Sequence, residues 1–158
     1  IWNYQQIDLG FNYRMNDIQA ALGLNQMKRL DQYIKRRHKI AEYYDTELKN
    51  LSLITPWQLP YVYSSYHLYP ILIKANSSLK PQKQVYNELI KNNIKVNLHY
   101  IPVHRHPYYE NLGFKKNDFP IAEKLHQEII SIPMYPSIQD EQQEYVLKTL
   151  RKVMNNGN

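Results

Sequence analysis

His99, His104 and His106 fall within eight residues of one another, interleaved with Tyr100, Tyr108 and Tyr109. Imidazole and phenol groups at this density suggest three uses: metal ligation, packing of a loop, or contact with a polar substrate. Zinc takes three or four ligands in a tetrahedron, and paired ligands on one helix sit four residues apart. Here the gaps are five and two, and Pro102 and Pro107 impose a loop, so the match to a zinc site is poor. Packing by aromatic and imidazole groups stays open. So does a substrate-contacting loop, because His and Tyr carry the donors and acceptors that a sugar or phosphate needs, and binding residues concentrate on scaffolded loops.

A second group lies near the start, in Gly10-Phe11-Asn12-Tyr13-Arg14-Met15. Arg14 offers a planar fork for phosphate or carboxylate, with the Asn12 amide beside it. The helix expected just beyond would add backbone donors and a favourable dipole for an anion. The alternative is that Arg14 pairs with a nearby acid and Asn12 only makes a turn. A glycine-rich phosphate loop, GxSxG and HExxH are all absent, and no catalytic set is complete in these 158 residues.

The elements that must position these groups are legible in outline. Asn16 with Gln19 three residues on reads as a capping box, starting a helix at Asp17. Apolar residues at helical spacing run from Ile18 to Leu51, which is long for one helix, so a bend is expected near Leu30 and Asp31. Pro56 and Pro60 mark a loop. The run from His67 to Ile73 suits a strand, with Pro70 arguing for an edge or a bulge. A helix is expected from Ser78 to Asn92 with Pro81 in its first turn, then a strand from Val96 to Tyr100 and the His/Tyr loop. Asp118 is expected to cap the next helix, Ile130 to Pro133 to form a short strand, and Asp140 to cap the last helix. This order predicts an α/β or α+β unit: a small sheet with helices on one face, preceded by a long helical connector. The expected division is 1–52 and 53–158.

Composition narrows the class. There is no cysteine, which excludes disulfides, thiolate nucleophiles and thiolate zinc sites. Hydrophobic residues make up 43% and charged residues 22%, which fits a folded core. No apolar run approaches the roughly 20 residues of a membrane span. The start lacks Met and a signal-peptide pattern, as though the sequence began in mid-protein. The formal charge of +6 is concentrated at Lys28, Arg29, Lys35, Arg36, Arg37 and Lys39. A solvated helix face explains that run better than a nucleic-acid footprint.

The run LGFNYRMNDIQAALGLNQMKRLDQYIKRRHKIAEYY resembles the segment following the cofactor lysine in the DegT/DnrJ/EryC1/StrS family of sugar-nucleotide aminotransferases. SSYHLYPILI, VNLHYIPVHRHPYY, FPIAEKLHQEIISIPMYP and DEQQEYVLKTL resemble its C-terminal domain, in the same order. The His/Tyr loop is most similar to the branch acting on the route to pseudaminic acid. The resemblance implies the small domain of a type I aminotransferase fold and a cytoplasmic homodimer using pyridoxal 5'-phosphate. It further implies a UDP-linked 4-keto sugar as substrate, glutamate as amino donor, and neither nucleic acid nor membrane as partner. By the same resemblance Asn12 reaches the cofactor phosphate of the neighbouring subunit and Arg14 lies on the substrate side. His99 and Tyr100 line the sugar-nucleotide pocket, with His104 and Tyr108 as further substrate contacts. The cofactor lysine lies upstream of the GFNYRM segment in the family, so the chain is expected to be a fragment inactive alone. A non-catalytic nucleotide-binding or interaction module is the alternative.

Overall fold

The computed structural model describes residues 7–11, 13–74 and 80–155. The chain divides into two compact units, Ile1–Tyr33 and Ile34–Asn158.

In the first unit, helix α1 (Asp17–Met27) begins as the capping box requires. The Asn16 side chain accepts the Gln19 N–H at 2.9 Å, and the Gln19 side chain accepts the Asn16 N–H at 3.1 Å. Two of the donors that every helix start leaves unpaired are thus satisfied reciprocally. The expected bend falls at Lys28 and Arg29, after which α2 (Leu30–Leu48) begins. No residue of α1 is buried, and Ile18, Leu22 and Met27 all face outward.

The second unit is built around a three-stranded antiparallel sheet of order β1 (Leu53–Ile54), β2 (Tyr69–Ile73), β3 (Ile129–Ile132). Tyr69, Ile71 and Ile73 alternate inward along β2 as a half-buried strand should, and join Ile130 and Ile132 of β3 in the core. Ile40, Ala41, Tyr44 and Leu48 of α2, Val85 and Leu89 of α3 (Gln82–Lys91), and Val146, Leu147, Leu150, Val153 and Met154 of α6 (Asp140–Asn155) close over them. Each set recurs at three- and four-residue intervals, the spacing that gathers apolar groups on one helix face. Helix α3 packs against α6 and β3, and α5 (Pro120–Glu128) against β2. All four residues of β3 are buried.

Five local expectations change, the first being that Asp140, expected to cap the last helix, is instead the first residue of α6. β2 is the central strand, yet it contains Pro70. Pro70 stands opposite Ser131, whose N–H and C=O both bond to Asn97 on the far side, so no ladder bond is wanted from Pro70 there. Its other edge lies beyond β1, which pairs only with Leu72 and Ile73. Residues 96–100 form no strand, since only Asn97 bridges to Ser131. Pro81 precedes α3 as its N-cap, and residues 78 and 79 of the expected helix lie outside the described residues. Asp118 does not cap α5: its carboxylate accepts the Lys115 N–H at 2.7 Å, and Phe119 occupies the cap position.

Candidate functional site

The His/Tyr segment hangs between two anchors. At its start, Asn97 and Ser131 exchange backbone hydrogen bonds of 3.1 and 2.8 Å, fixing the chain beside β3. The Asn97 Oδ1 accepts the Leu98 N–H at 2.8 Å, which turns its amide Nδ2 toward His99 Nε2 at 3.2 Å. His99 Nε2 is therefore the acceptor, and its Nδ1–H donates to Ser131 Oγ at 2.8 Å. Both ring nitrogens of His99 are engaged within the chain. Tyr100, joined to His99 by a cis peptide bond, sets its ring edge-to-face against the imidazole at 4.7 Å and is 71% exposed.

At the far end, the 3-10 turn Val103–Arg105 turns His104 inward, to 6% exposure. Its Nε2 lies 2.9 Å from Oε1 of Glu123 on α5, and the same oxygen accepts the Asn117 N–H at 2.6 Å. Arg105 approaches Glu123 at 3.7 Å while bonding Glu110 at 3.0 Å. The His104 donor and the Asn117 N–H hold the Glu123 carboxyl below the usual carboxylate range. The inward turn separates His104 from its expected place among surface substrate contacts. Helix α4 (Pro107–Asn111) follows with Pro107 at its first position and carries Tyr108, 69% exposed, edge-on to Tyr109. Among the described residues no group of three His, Cys, Asp or Glu is arranged to hold a metal ion.

In the first unit, Tyr13, Arg14, Met15 and Gln19 line an open hollow of about 680 Å³ at the N-terminus of α1. Asn12, the expected cofactor-phosphate contact, lies outside the described residues. The basic run on α2 is partly consumed by structure. Arg36 Nη2 donates to the Ile138 carbonyl and to Asp140, each at 2.8 Å, and Arg37 is spent on three carbonyls.

Ser131, Asn97 and Glu123 had no signal in the sequence that marked them, and Arg37 was read only as part of a solvated helix face. Their partners lie far along the chain or on backbone atoms, and no local spacing reports such pairing.

Residues 2–151 match the profile of the DegT/DnrJ/EryC1/StrS aminotransferase family. An uncharacterized protein of Methanocaldococcus jannaschii is 39% identical over 97% of this chain and 40% of its own length. The UDP-4-amino-4,6-dideoxy-N-acetyl-beta-L-altrosamine transaminase of Campylobacter jejuni serotype O:2 is 31% identical over 98% of this chain and 41% of its own. A putative sugar aminotransferase of Streptococcus pneumoniae, solved in its PLP form, superimposes with a TM-score of 0.87 at 29% identity, covering all of this chain and 40% of that one. The chain belongs to the DegT/DnrJ/EryC1/StrS aminotransferase family. It spans about two-fifths of the length of the relatives it matches.

The described residues do not by themselves form a pyridoxal-phosphate site. A lysine that carries the cofactor must reach a dry pocket with its amine free of a counter-charge. Lys80 is the one buried lysine among them, and its Nζ sits 2.9 Å from Glu88 Oε2. Every other lysine is exposed. What this chain does present is an arginine beside a helix start and an aromatic loop braced from behind.

Proposed function

We propose that this chain is part of a pyridoxal-phosphate-dependent aminotransferase that transfers an amino group from glutamate to C4 of a UDP-linked 4-keto-6-deoxy sugar. Family membership supports the reaction class, and the C. jejuni relative's name supports the sugar nucleotide. The observation that carries the substrate side is the braced, outward-facing Tyr100 between two inward-facing histidines. An exposed aromatic held at fixed orientation stacks on a sugar ring or a base, and its hydroxyl can hydrogen-bond at the edge. Tyr108, exposed on α4, is assigned to the same role, while His99 and His104 act through the bonds that fix the loop. Arg14 is suited to the diphosphate, and Asn12 is assigned to the cofactor phosphate of the neighbouring subunit.

The complete enzyme is proposed to be a cytoplasmic homodimer whose active site is shared between subunits. The outward-facing Ile18, Leu22 and Met27 of α1 are consistent with a surface that such a partner covers. Since Lys80 is ion-paired and the other lysines are exposed, this chain alone is expected to show no transamination.

The test is to incubate the enzyme carrying this sequence with glutamate and UDP-4-keto sugars, following the amino sugar by mass spectrometry. A product dependent on the nucleotide, with a raised KM in Arg14→Ala and Tyr100→Ala, is expected. Equal turnover of keto sugars lacking the nucleotide would overturn the substrate assignment.

A further inference from the structure

We propose that Ser131 and Glu123 are positioning residues for substrate recognition: each fixes one of the two histidines that bracket the Tyr100 loop, so that the loop is presented as a rigid platform. The proposal rests on the reading of Tyr100 as substrate-facing. Neither residue faces outward, since Ser131 is 5% and Glu123 7% exposed.

The two anchors are built from different elements and meet the loop at its two ends. Ser131 belongs to β3, the strand buried along its whole length, and its backbone is tied to Asn97 while its hydroxyl takes the His99 Nδ1–H. Asn97 completes the clamp on the opposite nitrogen, which leaves one tautomer and one ring orientation compatible with all the bonds. Glu123 belongs to α5. It gathers His104 and the Asn117 N–H on one oxygen and faces Arg105 with the other. Asn117 has a φ of 75°, a left-handed conformation that asparagine tolerates better than most residues. Between the anchors, Tyr100, Ile101 and Val103 are exposed. A loop with no ladder of its own owes its shape to such side-chain anchors, and a recognition group held in place binds with less ordering entropy.

Two measurements test this. The first needs no variant: nitrogen-15 NMR of the histidine rings in this chain at neutral pH. The expected result is a single Nδ1–H tautomer for His99 and an Nε2–H of His104 slow to exchange. Mixed tautomers at His99, or rapid exchange at His104, would overturn the clamp. The second uses the enzyme carrying the sequence. Ser131→Ala and Glu123→Ala are each expected to raise KM for the nucleotide sugar about tenfold with kcat nearly unchanged, the pattern of lost binding common to ground and transition states. Ser131→Thr, which restores the hydroxyl, and Glu123→Gln, which keeps an acceptor, should recover most of the loss, whereas a merely structural role predicts kcat falling in step with the loss of folded enzyme and no change in KM. If Tyr100→Ala leaves KM unchanged, the substrate-facing reading itself fails. If Tyr100→Ala raises KM while Ser131→Ala and Glu123→Ala do not, the platform faces substrate and the positioning role is overturned.

Discussion

Arg37 Nη1 lies 2.8 Å from the carbonyl oxygen of Tyr66, and the same nitrogen reaches the carbonyls of His67 and Met134 at 3.0 Å each. One guanidinium thereby joins α2 to the segment entering β2 and to the segment leaving β3. Tyr66 has a φ of 46°, a conformation unusual for an aromatic residue, and the carbonyl held by Arg37 belongs to that residue. Charged hydrogen bonds contribute about 1.5–3 kcal/mol each, but these share one donor group. Arg37→Ala is expected to lose about 2–3 kcal/mol by that measure, and Arg37→Lys most of it, because an ammonium lacks the planar fork. Urea unfolding of the two variants checks this, and a change within error for Arg37→Ala would show that water replaces the contacts.

Acid should destabilise the second unit through Glu123. Its carboxyl is held below the ordinary range, chiefly by the His104 donor and then by the Asn117 N–H, so the folded state binds its proton less readily than the unfolded chain does. Glu88 is shifted the same way by Lys80 and Gln84. The stability each confers is complete above the ordinary carboxylate value of 4.5 and is lost as pH falls through the lower folded value. Denaturant midpoints should hold steady from neutral pH down to about that point and then fall. In Glu123→Gln the acid slope should flatten.

Alkali should act through Tyr44 and Tyr69. Burial raises both phenols, and the hydrogen bond of Tyr69 to Asp45 raises that one further. Tyr44 O–H also donates to the Pro133 carbonyl at 2.9 Å, a bond its phenolate cannot make. A raised value in the folded state means that the contribution is complete below the ordinary value of 10 and is lost as pH rises toward the folded one. Unfolding should therefore coincide with ionisation of these two tyrosines. A spectrophotometric titration of Tyr44→Phe against the parent is expected to show a weaker dependence of stability on alkali.

The cap of α1 should be separable from the core. Asn16→Ala removes the acceptor of the Gln19 N–H, and N-cap losses of this kind cost about 1 kcal/mol of local helix stability. Because α1 buries no residue, the effect is expected as faster amide exchange at Gln19 and its neighbours while the second unit's exchange stays unchanged.

Some of this was decided by neighbours along the chain. The capping box needs only Asn16 and Gln19, three residues apart, so the start of α1 was readable from sequence. The residue pattern around GFNYRM and HYIPVHRHPYY likewise carried the family. The tertiary structure alone decided what the histidines do. His99 meets Ser131 across 32 positions and His104 meets Glu123 across 19, and both pairs depend on where β3 and α5 pass the loop. The same distance effect made residues 96–100 look like a strand, since alternation reports a pleat but not whether a partner runs alongside: here only Asn97 found one. Asp118 failed as a cap because its carboxylate accepts the Lys115 N–H while Phe119 stands at the cap position of α5. Sequence by itself fixes what a few residues can do together within a turn or two of chain, because backbone geometry sets those distances in advance. Which buried donor meets which acceptor is set only when the loops close, by burial that leaves each polar group one partner within reach.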